Sequence, residues 1–391
     1  MSLDAFRTEV RDFIDSNCPQ AMRLGAVHFE DAYEVYQTDA ALAWRHAAAS
    51  RGWTAPTWPT EYGGGGLDRN ELRVWQEEMI RIKALPPATG MGLSMIGPTL
   101  LEFGTEAQKQ RHLPKIVTGE AQWCQGYSEP GAGSDLAGLQ TKAVLEGDNF
   151  VINGQKVWTS GAQHANWMFA LVRTDPDASK HDGISFVLLP MDQPGVTVKP
   201  IKLISGSSPF CETFFDGAIA SRDDLVGDLN KGWTVGKRLL QFERTASSPP
   251  KPKRKKKLNP YAAIAKEYIG EDSQGHVADH AAREKILNQV IQERAMSLTT
   301  QRVLAESKAS GAPGAATSIF KLVGSTLAKQ GSQLKSELRG TAGLAWEGGD
   351  FSETELESTR AWLRDRAVTI YGGTNEVQMN IIAKRVLGLP D

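Results

Sequence analysis

Apolar residues at helical spacing mark the first third of the chain. The first set recurs every three to four positions with charged residues between its members: Leu3, Phe6, Val10 and Phe13. This periodicity predicts a helix that ends at residues 17–19, Asn-Cys-Pro. Residues 71–82 and 105–117 repeat the pattern. The glycine run within 61–66 predicts a loop, because consecutive glycines lose too much entropy in a regular element.

Short β-type runs replace the helical pattern from about Ala121 to Gly227. The predicted strands are 150–152, 167–172, 184–189, 196–198 and 212–215. Asn153-Gly154, directly after the first run, is expected to form a tight turn. Many short strands without helices between them indicate an antiparallel barrel or sandwich rather than alternating strand–helix units.

Helical periodicity returns after Gly232 and continues towards the C-terminus. Its apolar faces lie in 286–291, 319–327 and 377–387. The chain is therefore predicted to be an α+β multidomain protein. The predicted parts are an N-terminal α-helical domain (1–120), a middle antiparallel β domain (121–227) and a C-terminal helical domain (228–391).

Composition narrows the classes of function. The chain has 391 residues, 40% of them hydrophobic and 23% charged, as in ordinary globular proteins. With 44 basic and 46 acidic residues the net charge is −2, which argues against general nucleic-acid or membrane-surface binding. Three scattered cysteines suit a reducing compartment and have no metal-ligand spacing, so no metal site is predicted. Neither a secretory pattern nor a membrane-length apolar run is visible, so a cytoplasmic protein is expected.

Three polar segments are candidates for chemistry. Residues 127–135, Tyr-Ser-Glu-Pro-Gly-Ala-Gly-Ser-Asp, predict a tight turn whose N–H groups and hydroxyls can approach a flat or phosphorylated ligand. Residues 158–160, Trp-Thr-Ser, combine an aromatic plane with two hydroxyls, which suits a planar polar heterocycle. Residues 372–375, Gly-Gly-Thr-Asn, precede an apolar run and are typical of a helix N-cap, where anions bind. Taken singly, each is also explained by an ordinary surface turn, strand end or helix cap.

Together and in this order, the segments resemble the acyl-CoA dehydrogenase flavoprotein family. The motifs are Ser-Glu-Pro-Gly-Ala-Gly-Ser-Asp (128–135), Gly-Gln-Lys-Val-Trp (154–158) and Tyr-Gly-Gly-Thr-Asn-Glu-Val-Gln (371–378). The resemblance covers essentially the whole chain. It implies a fold with a middle β-barrel and a C-terminal four-helix bundle. It also implies an oxidoreductase of lipid metabolism and β-oxidation that uses FAD to desaturate an acyl-CoA thioester and passes electrons to an electron-transferring flavoprotein.

The resemblance assigns the cofactor contacts one residue at a time. Around the flavin ring it places Tyr127, Ser128, Trp158, Thr159 and Ser160. Ser160 is expected to reach flavin N5. Ser134 would lie near the flavin phosphates and the thioester arm of the substrate, and Thr374 and Glu376 would meet the adenosine diphosphate end.

The catalytic base is assigned to a position that only some family members use. Many members carry a glutamate directly after the tyrosine of the C-terminal motif, where this chain has Gly372. Isovaleryl- and long-chain-type members supply the base from a Glu-Arg pair on the first long helix of the C-terminal domain, which matches Glu243 and Arg244. Glu243 is therefore the predicted base and Arg244 a substrate contact. A solvated helix glutamate is the alternative. The backbone N–H of Gly372 is expected to polarise the thioester carbonyl, with room for a bulky acyl group.

Two family segments are absent. The Arg-x-x-Phe-Gly sequence has no match in 265–286, and the Gln-x-x-Gly-Gly segment reads Glu-Leu-Arg-Gly-Thr at 337–341. Both serve FAD across a subunit interface in the family. Their absence resembles chains that pair with a second acyl-CoA dehydrogenase-like chain in α2β2 tetramers, as in bacterial steroid side-chain degradation. A homotetramer in which Arg339 or the basic segment 251–257 replaces the contacts stays open.

Other functions remain as alternatives. The same fold could support a flavin oxidase or monooxygenase, a catalytically silent subunit or a DNA-binding relative. The basic segment 251–257 has six cations in seven residues, a composition that more often forms a solvated loop than a nucleic-acid contact. A position near the CoA 3′-phosphate or a partner protein is its second interpretation.

Overall fold

A computed structural model describes residues 2–27, 29–245, 259–310 and 317–390. These residues fall into two compact units. The first lies within Met1–Lys202 and Ser208–Lys253, and the second within Leu203–Ser207 and Arg254–Asp391. The predicted basic segment 251–257 lies outside the described residues. The boundaries of the three predicted domains stay a prediction.

Helices form the N-terminal part of the first unit. They are α1 (Leu3–Asn17), α2 (Phe29–Tyr36), α3 (Asp39–Ala49), α4 (Arg69–Arg81), α5 (Gly97–Phe103) and α6 (Glu106–Thr118). The helices predicted from periodicity correspond to α1, α4 and α6 within two residues at each end. Asp68 and Thr105 begin α4 and α6 with capping boxes, which satisfy N–H groups that have no partner inside the helix. Phe13 lies against Trp53 at a ring-centroid distance of 4.8 Å in the core of this layer.

A π-helical turn, Gly92–Ile96, runs directly into α5. The close packing of this segment against Trp58 depends on a glycine. A Cβ atom at Gly97 would lie 2.0 Å from Cη2 of Trp58, so only glycine allows the two segments to meet at this distance. Such turns widen a helix locally and are frequent at functional sites.

Seven strands form one curled sheet in the described part of the first unit. They are β1 (Trp123–Gly126), β2 (Lys142–Glu146), β3 (Asn149–Ser160), β4 (Trp167–Arg173), β5 (Ile184–Pro190), β6 (Val196–Ile201) and β7 (Phe210–Ser221). The order is β1-β4-β2-β3-β7-β6, with β5 also paired to β4. The main pairs are antiparallel, as predicted, but β1 pairs with β4 in parallel. Helix α7 (Gly232–Thr245) completes this unit.

The predicted turn at Asn153-Gly154 is wrong. Strand β3 continues through both residues, and its register with β7 shifts between Ile152 and Gly154. The bulge lies on β7, where Asp216 and Gly217 oppose Asn153, while Asn153-Gly154 continues β3 with Gly154 at φ +147°. The chain reverses earlier, at Gly147-Asp148, between the paired ends of β2 and β3.

The second unit is helical. Its helices are α8 (Pro260–Tyr268), α9 (His280–Ser310), α10 (Thr317–Glu337), α11 (Glu353–Arg364) and α12 (Asn375–Ile381). The apolar faces predicted in 286–291 and 319–327 lie in α9 and α10, and the third begins in α12 and continues through a π turn, Ile382–Val386. The predicted order of helices, strands and helices is therefore confirmed.

Membrane-spanning helices and metal clusters are both absent from the described residues. No helix there is both long enough and apolar enough to cross a membrane. No group of three or more His, Cys, Asp or Glu side chains in that part of the chain is arranged to hold a metal ion.

Candidate active site

The glycine-rich segment forms a tight turn directly after β1. Glu129 and Ala132 exchange two backbone hydrogen bonds of 3.0 Å, which closes the turn. A Cβ atom at Gly131 or Gly133 would have no neighbour within 4 Å, so the backbone of the turn is open to a ligand. Ser134 is exposed on the same segment.

Tyr127 and Ser128 connect this turn to the rest of the first unit. Tyr127 is buried, and its hydroxyl donates to the carbonyl of Gly236 on α7 at 3.4 Å. Ser128 is half-buried, and its carbonyl accepts from the N–H of Val157 on β3 at 2.9 Å. The turn is therefore held between α7 and the strand that carries the second predicted motif.

A buried ion pair anchors the same turn. Lys156 is fully buried, and its Nζ donates to Oε1 of Glu129 at 2.8 Å and to the carbonyls of Leu171 at 2.7 Å and Tyr127 at 3.1 Å. The Glu129 carboxylate also accepts from the N–H groups of Gln140 and Thr141. One lysine thus ties β3, β4 and the turn together.

The environment of this pair acts on the two charges in different ways. Burial lowers the pKa of Lys156, and Glu129 only partly offsets that effect. Burial by itself raises the pKa of Glu129, but Lys156 and the hydrogen bonds outweigh it and hold the pKa below its usual range. The sequence pattern alone assigned no role to either residue. The alternation of β3 could have indicated a buried lysine, because Lys156 shares its strand face with the apolar Phe150 and Ile152.

The Trp-Thr-Ser motif begins on a bulge of β3, where Val157 and Trp158 oppose Glu212. The register with β7 shifts between Lys156 and Thr159, and Trp158 has φ +60°, which is rare for a bulky residue. The bulge leaves the indole of Trp158 55% exposed, with Phe210 edge-on at 6.1 Å. It therefore offers a flat apolar surface at the end of the strand.

Thr159 and Ser160 are placed differently from Trp158. Thr159 is fully buried, and its Oγ1 has no hydrogen-bond partner among the described residues. A buried hydroxyl without a partner costs free energy unless a ligand completes it. Ser160 is half-buried at the end of β3.

The C-terminal motif lies in the second unit and begins α12. Thr374 Oγ1 accepts from the N–H of Val377 at 3.1 Å, which confirms the predicted N-cap. Gly372 and Gly373 have φ +64° and +92°, the left-handed region that favours glycine. A Cβ atom at Gly372 would have no neighbour within 4 Å, and its N–H has no acceptor among the described residues. Glu376 is exposed.

Glu243 and Arg244 lie in the last turn of α7. Position 243 is seven residues after Gly236 and four after Leu239, so the three share one stripe of the helix. Leu239 is fully buried, and a Cβ at Gly236 would lie 3.3 Å from the Tyr127 hydroxyl. The predicted base position therefore continues the stripe that packs beside the glycine-rich turn.

Arg339, a candidate substitute for the missing cofactor contacts, is engaged inside the second unit. Its exposed fraction is 9%, and its Nη1 donates to the carbonyl of Lys335 at 2.9 Å and to Ser358 Oγ at 3.1 Å. The guanidinium also lies over the ring of Tyr268, 5.6 Å from its centroid. These contacts give Arg339 a structural role in joining α10 to α11.

Comparison with known proteins gives three family models that match consecutive parts of the chain. Models of the acyl-CoA dehydrogenase N-terminal, middle and C-terminal domains match residues 2–120, 124–218 and 230–387. Two curated proteins named acyl-CoA dehydrogenase IpdE1 are similar over almost their whole length. The Mycobacterium tuberculosis protein is 37% identical, covering 99% of this chain and 98% of its own. The Mycolicibacterium smegmatis protein is also 37% identical, covering 100% and 98%.

Solved structures give the same picture. The ChsE4-ChsE5 complex from Mycobacterium tuberculosis matches with a TM-score of 0.73 and 29% identity, covering 100% of this chain and 98% of the matched chain. The Tcur3481-Tcur3483 steroid ACAD matches with a TM-score of 0.72 and 28% identity, covering 99% and 97%.

Proposed function

Because the chain belongs to the acyl-CoA dehydrogenase family, we propose that it desaturates an acyl-CoA thioester between the α and β carbons with Glu243 as the base. The family and the names of its relatives make the chain an acyl-CoA dehydrogenase. The base, the cofactor contacts and the substrate class are the proposal. The observation that carries it is the helical stripe of α7 that joins position 243 to Gly236 and Leu239, beside the glycine-rich turn.

The residues of the first unit fit FAD, on which this family generally depends. The exposed indole of Trp158 offers a face for a flat ring, and the unpartnered hydroxyl of Thr159 offers a polar contact at its edge. Tyr127, Ser128 and Ser160 would complete the flavin contacts. Ser134 would serve the phosphates and thioester arm, and Thr374 and Glu376 the adenosine diphosphate end. When bound, FAD supplies the acceptor for the β-hydride at its N5 atom.

Glu243 would remove the α-proton. A carboxylate in a dry environment is a stronger base than one in water, because burial disfavours its charged form. The spacing of position 243 from Gly236 and Leu239 on α7 supports this assignment. With Gly372 at the position of the alternative base, Glu243 would be the sole carboxylate with this task, and Arg244 would contact the substrate.

The thioester carbonyl gains negative charge as the α-proton leaves. A backbone N–H aimed at that oxygen stabilises the charge without reorganisation. Gly372 supports this role because its N–H has no acceptor among the described residues and its backbone is held in the left-handed region. Since no side chain occupies the open space at Gly372, a bulky or branched acyl group would be admitted there.

The relatives support a substrate class and an assembly. One matched structure is named a steroid ACAD, and another is a complex of two different chains, ChsE4 and ChsE5. A polycyclic, steroid-like acyl-CoA fits the absence of a side chain at position 372. The chain would work as a tetramer, homomeric or with a second acyl-CoA dehydrogenase-like chain, and pass electrons to an electron-transferring flavoprotein.

A thioester screen tests the proposal. Purified protein supplied with FAD is assayed with straight, branched and polycyclic acyl-CoA thioesters, using electron-transferring flavoprotein or an artificial acceptor and, separately, oxygen. We expect α,β-unsaturated product with the acceptor, highest for a bulky thioester, and slow reaction with oxygen. Rapid oxygen consumption would instead indicate an oxidase. No product from any thioester, alone or with a second family chain, would contradict the proposal.

A further inference from the structure

A small cavity of about 30 Å³ lies beside the π-helical turn of the first unit. Residues from three helical segments and from the connection into β1 line it. They include Arg45, Thr89, Gly90, Gly92, Gln122 and Trp123. The predicted flavin and substrate residues do not line this cavity, so it requires an explanation of its own.

Trp123 lines this cavity, and its indole N–H has no partner among the described residues. Its side chain is 6% exposed, and Nε1 is buried with no acceptor among the described residues. The indole is fixed by Trp167, stacked at 5.5 Å, and by His112, edge-on at 5.3 Å. A Cβ atom at Gly92 would lie 3.2 Å from Cδ1, the carbon bonded to Nε1, so the pyrrole edge faces a glycine of the cavity wall.

Arg45 brings an unpaired positive charge. It is half-buried on α3, and the described part of the chain offers it no carboxylate, no carbonyl acceptor and no aromatic face. A Cβ atom at Gly119 would lie 2.8 Å from its Nε and Cζ, so the guanidinium rests against that glycine. Burial lowers the pKa of Arg45. A half-buried guanidinium without a partner loses part of its hydration, and an anion would compensate for that loss.

The remaining polar groups decide which ligand fits. Gln122 Nε2 donates to the Gly119 carbonyl at 2.8 Å, which leaves its Oε1 as an acceptor. Arg45 and the Trp123 indole can only donate, and the Thr89 hydroxyl can donate as well. The two groups that can only donate, one of them positively charged, favour a ligand with acceptor oxygens and a negative charge in a space of about 30 Å³.

We propose that this cavity is a binding subsite for a carboxylate group, with Arg45 and the indole N–H of Trp123 as its donors. A guanidinium matches a carboxylate with two parallel hydrogen bonds, and the indole supplies a third donor. The carboxylate can belong to a free acid or to a substituent on a bound acyl-CoA. The site depends on neither FAD nor Glu243.

Fluorine NMR of the full chain labelled with 5-fluorotryptophan tests the subsite. The chain has 10 tryptophans, and the resonance lost in Trp123→Phe identifies Trp123. We expect acetate to move this resonance saturably and chloride at equal ionic strength to leave it in place. Arg45→Ala should weaken the apparent acetate affinity at least about tenfold. Arg69→Ala, which removes an exposed arginine on α4, is the matched control and should leave the affinity unchanged.

The source of the carboxylate is resolved by a second titration. Succinyl-CoA is compared with butyryl-CoA, whose four-carbon acyl chain ends in a methyl group in place of the carboxylate. A saturable, Arg45-dependent shift of the Trp123 resonance with acetate supports a subsite for a free acid. The same shift with succinyl-CoA but not with butyryl-CoA supports a subsite for a carboxylate on the acyl group. If Trp123→Phe does not fold, the same comparison is made by the acetate-dependent rise in melting temperature of the wild type, Arg45→Ala and Arg69→Ala. Non-saturable shifts, equal effects of chloride, or an unchanged affinity in Arg45→Ala would overturn the proposal.

Discussion

Individual residues with unusual backbone or burial carry most of the candidate chemistry. Trp158 adopts φ +60° on a bulge, so its indole is exposed while the next residue, Thr159, is fully buried. Gly372 adopts φ +64° before a capped helix. For Trp158 this backbone is strained and persists only when its surroundings hold it there, whereas glycine adopts it without strain. Both occur in motifs that the family resemblance assigns to the cofactor and substrate.

Glu243→Gln should abolish turnover while FAD stays bound. The amide keeps the shape of the side chain but cannot accept the α-proton, and removing a general base costs at least about 10²-fold in rate. The measurements are steady-state turnover and the flavin absorbance of the purified variant. Glu102→Gln makes the same change at an exposed position paired with Arg238, and should keep wild-type turnover. Near-normal activity of Glu243→Gln would contradict the assignment of Glu243 as the base.

Gly372→Glu should not restore a family-type active site. The left-handed backbone costs a glutamate about 1 kcal/mol, and the new side chain would take up space needed by a bulky acyl group. If both assignments hold, a carboxylate near Glu243 would also raise the proton affinity of both. We expect the rate ratio of branched to straight thioesters to fall. Gly349→Glu, at an exposed glycine with open space, is the control. An unchanged ratio would mean that Gly372 does not line the site.

Lys156→Met should destabilise the first unit by about 3–5 kcal/mol, because it leaves the buried Glu129 carboxylate without its cation. The free energy of unfolding in urea measures this loss. Adding Glu129→Gln to the variant should recover part of it, since the buried charge is then removed. Lys180→Met breaks an exposed ion pair with Asp135, which lies in the same glycine-rich segment as Glu129. This variant should cost less than about 1 kcal/mol. Equal effects of the two lysine variants would contradict a structural role for the buried pair.

Between elements, one carboxylate joins α1 to α4. Glu78 on α4 has a side chain only 3% exposed and accepts from Arg7 at 3.1 Å, Arg11 at 3.0 Å and Arg81 at 2.7 Å. The hydrogen bond from Arg11 is the largest influence that lowers the pKa of Glu78, which falls to about 2 against the opposing effect of burial. A buried charge thus holds the two helices in register.

This carboxylate predicts an acid-sensitive helix pair. Because its folded-state pKa is depressed from 4.5 to about 2, Glu78 stabilises the fold by roughly 3 kcal/mol above pH 4.5 and loses that contribution as pH falls towards 2. Glu78→Gln should lower the free energy of unfolding at pH 7 and flatten its decline below pH 4.5. Glu77→Gln, at the exposed neighbour that pairs with Arg7, should preserve the decline. Parallel acid curves for wild type and Glu78→Gln would refute the role of this carboxylate.

At the scale of the whole molecule, the chain lacks two segments that serve FAD across subunits in its family. Arg339, at one of these positions, is occupied within its own unit. A deficit of only about 1.4 kcal/mol reduces affinity tenfold, and the loss of an arginine–phosphate contact can exceed that. A homomeric assembly would therefore hold FAD weakly.

The isolated protein should purify with less than one FAD per chain. Co-expression with a second acyl-CoA dehydrogenase-like chain should raise both the flavin content and the activity, because the partner would supply the missing contacts. Flavin absorbance relative to protein concentration, with the mass of the assembly, measures this. Expression of each chain alone is the control. One FAD per chain in a fully active homotetramer would show that other residues make the contacts.

The sequence by itself determined the order of helices and strands and the family. Helical periodicity, helix caps and the loop at the glycine run within 61–66 depend on residues within a few positions of each other. For that reason α1, α4, α6 and the Thr374 cap could be predicted. The motifs identified the candidate residues through their resemblance to a family. Strands β1 and β2 were missed because a short run such as Trp123–Gly126 has no local pattern that distinguishes it from a loop.

Only the tertiary structure decided which distant segments meet. The parallel pairing of β1 with β4, the two bulges between β3 and β7, the burial of Lys156 against Glu129 and the lining of one cavity by Arg45 and Trp123 all join residues far apart in sequence. Their free energies depend on desolvation and on partners that local periodicity does not encode. For that reason Asn153-Gly154 has the composition of a turn and yet lies inside β3, since pairing with β7 outweighs its local preference.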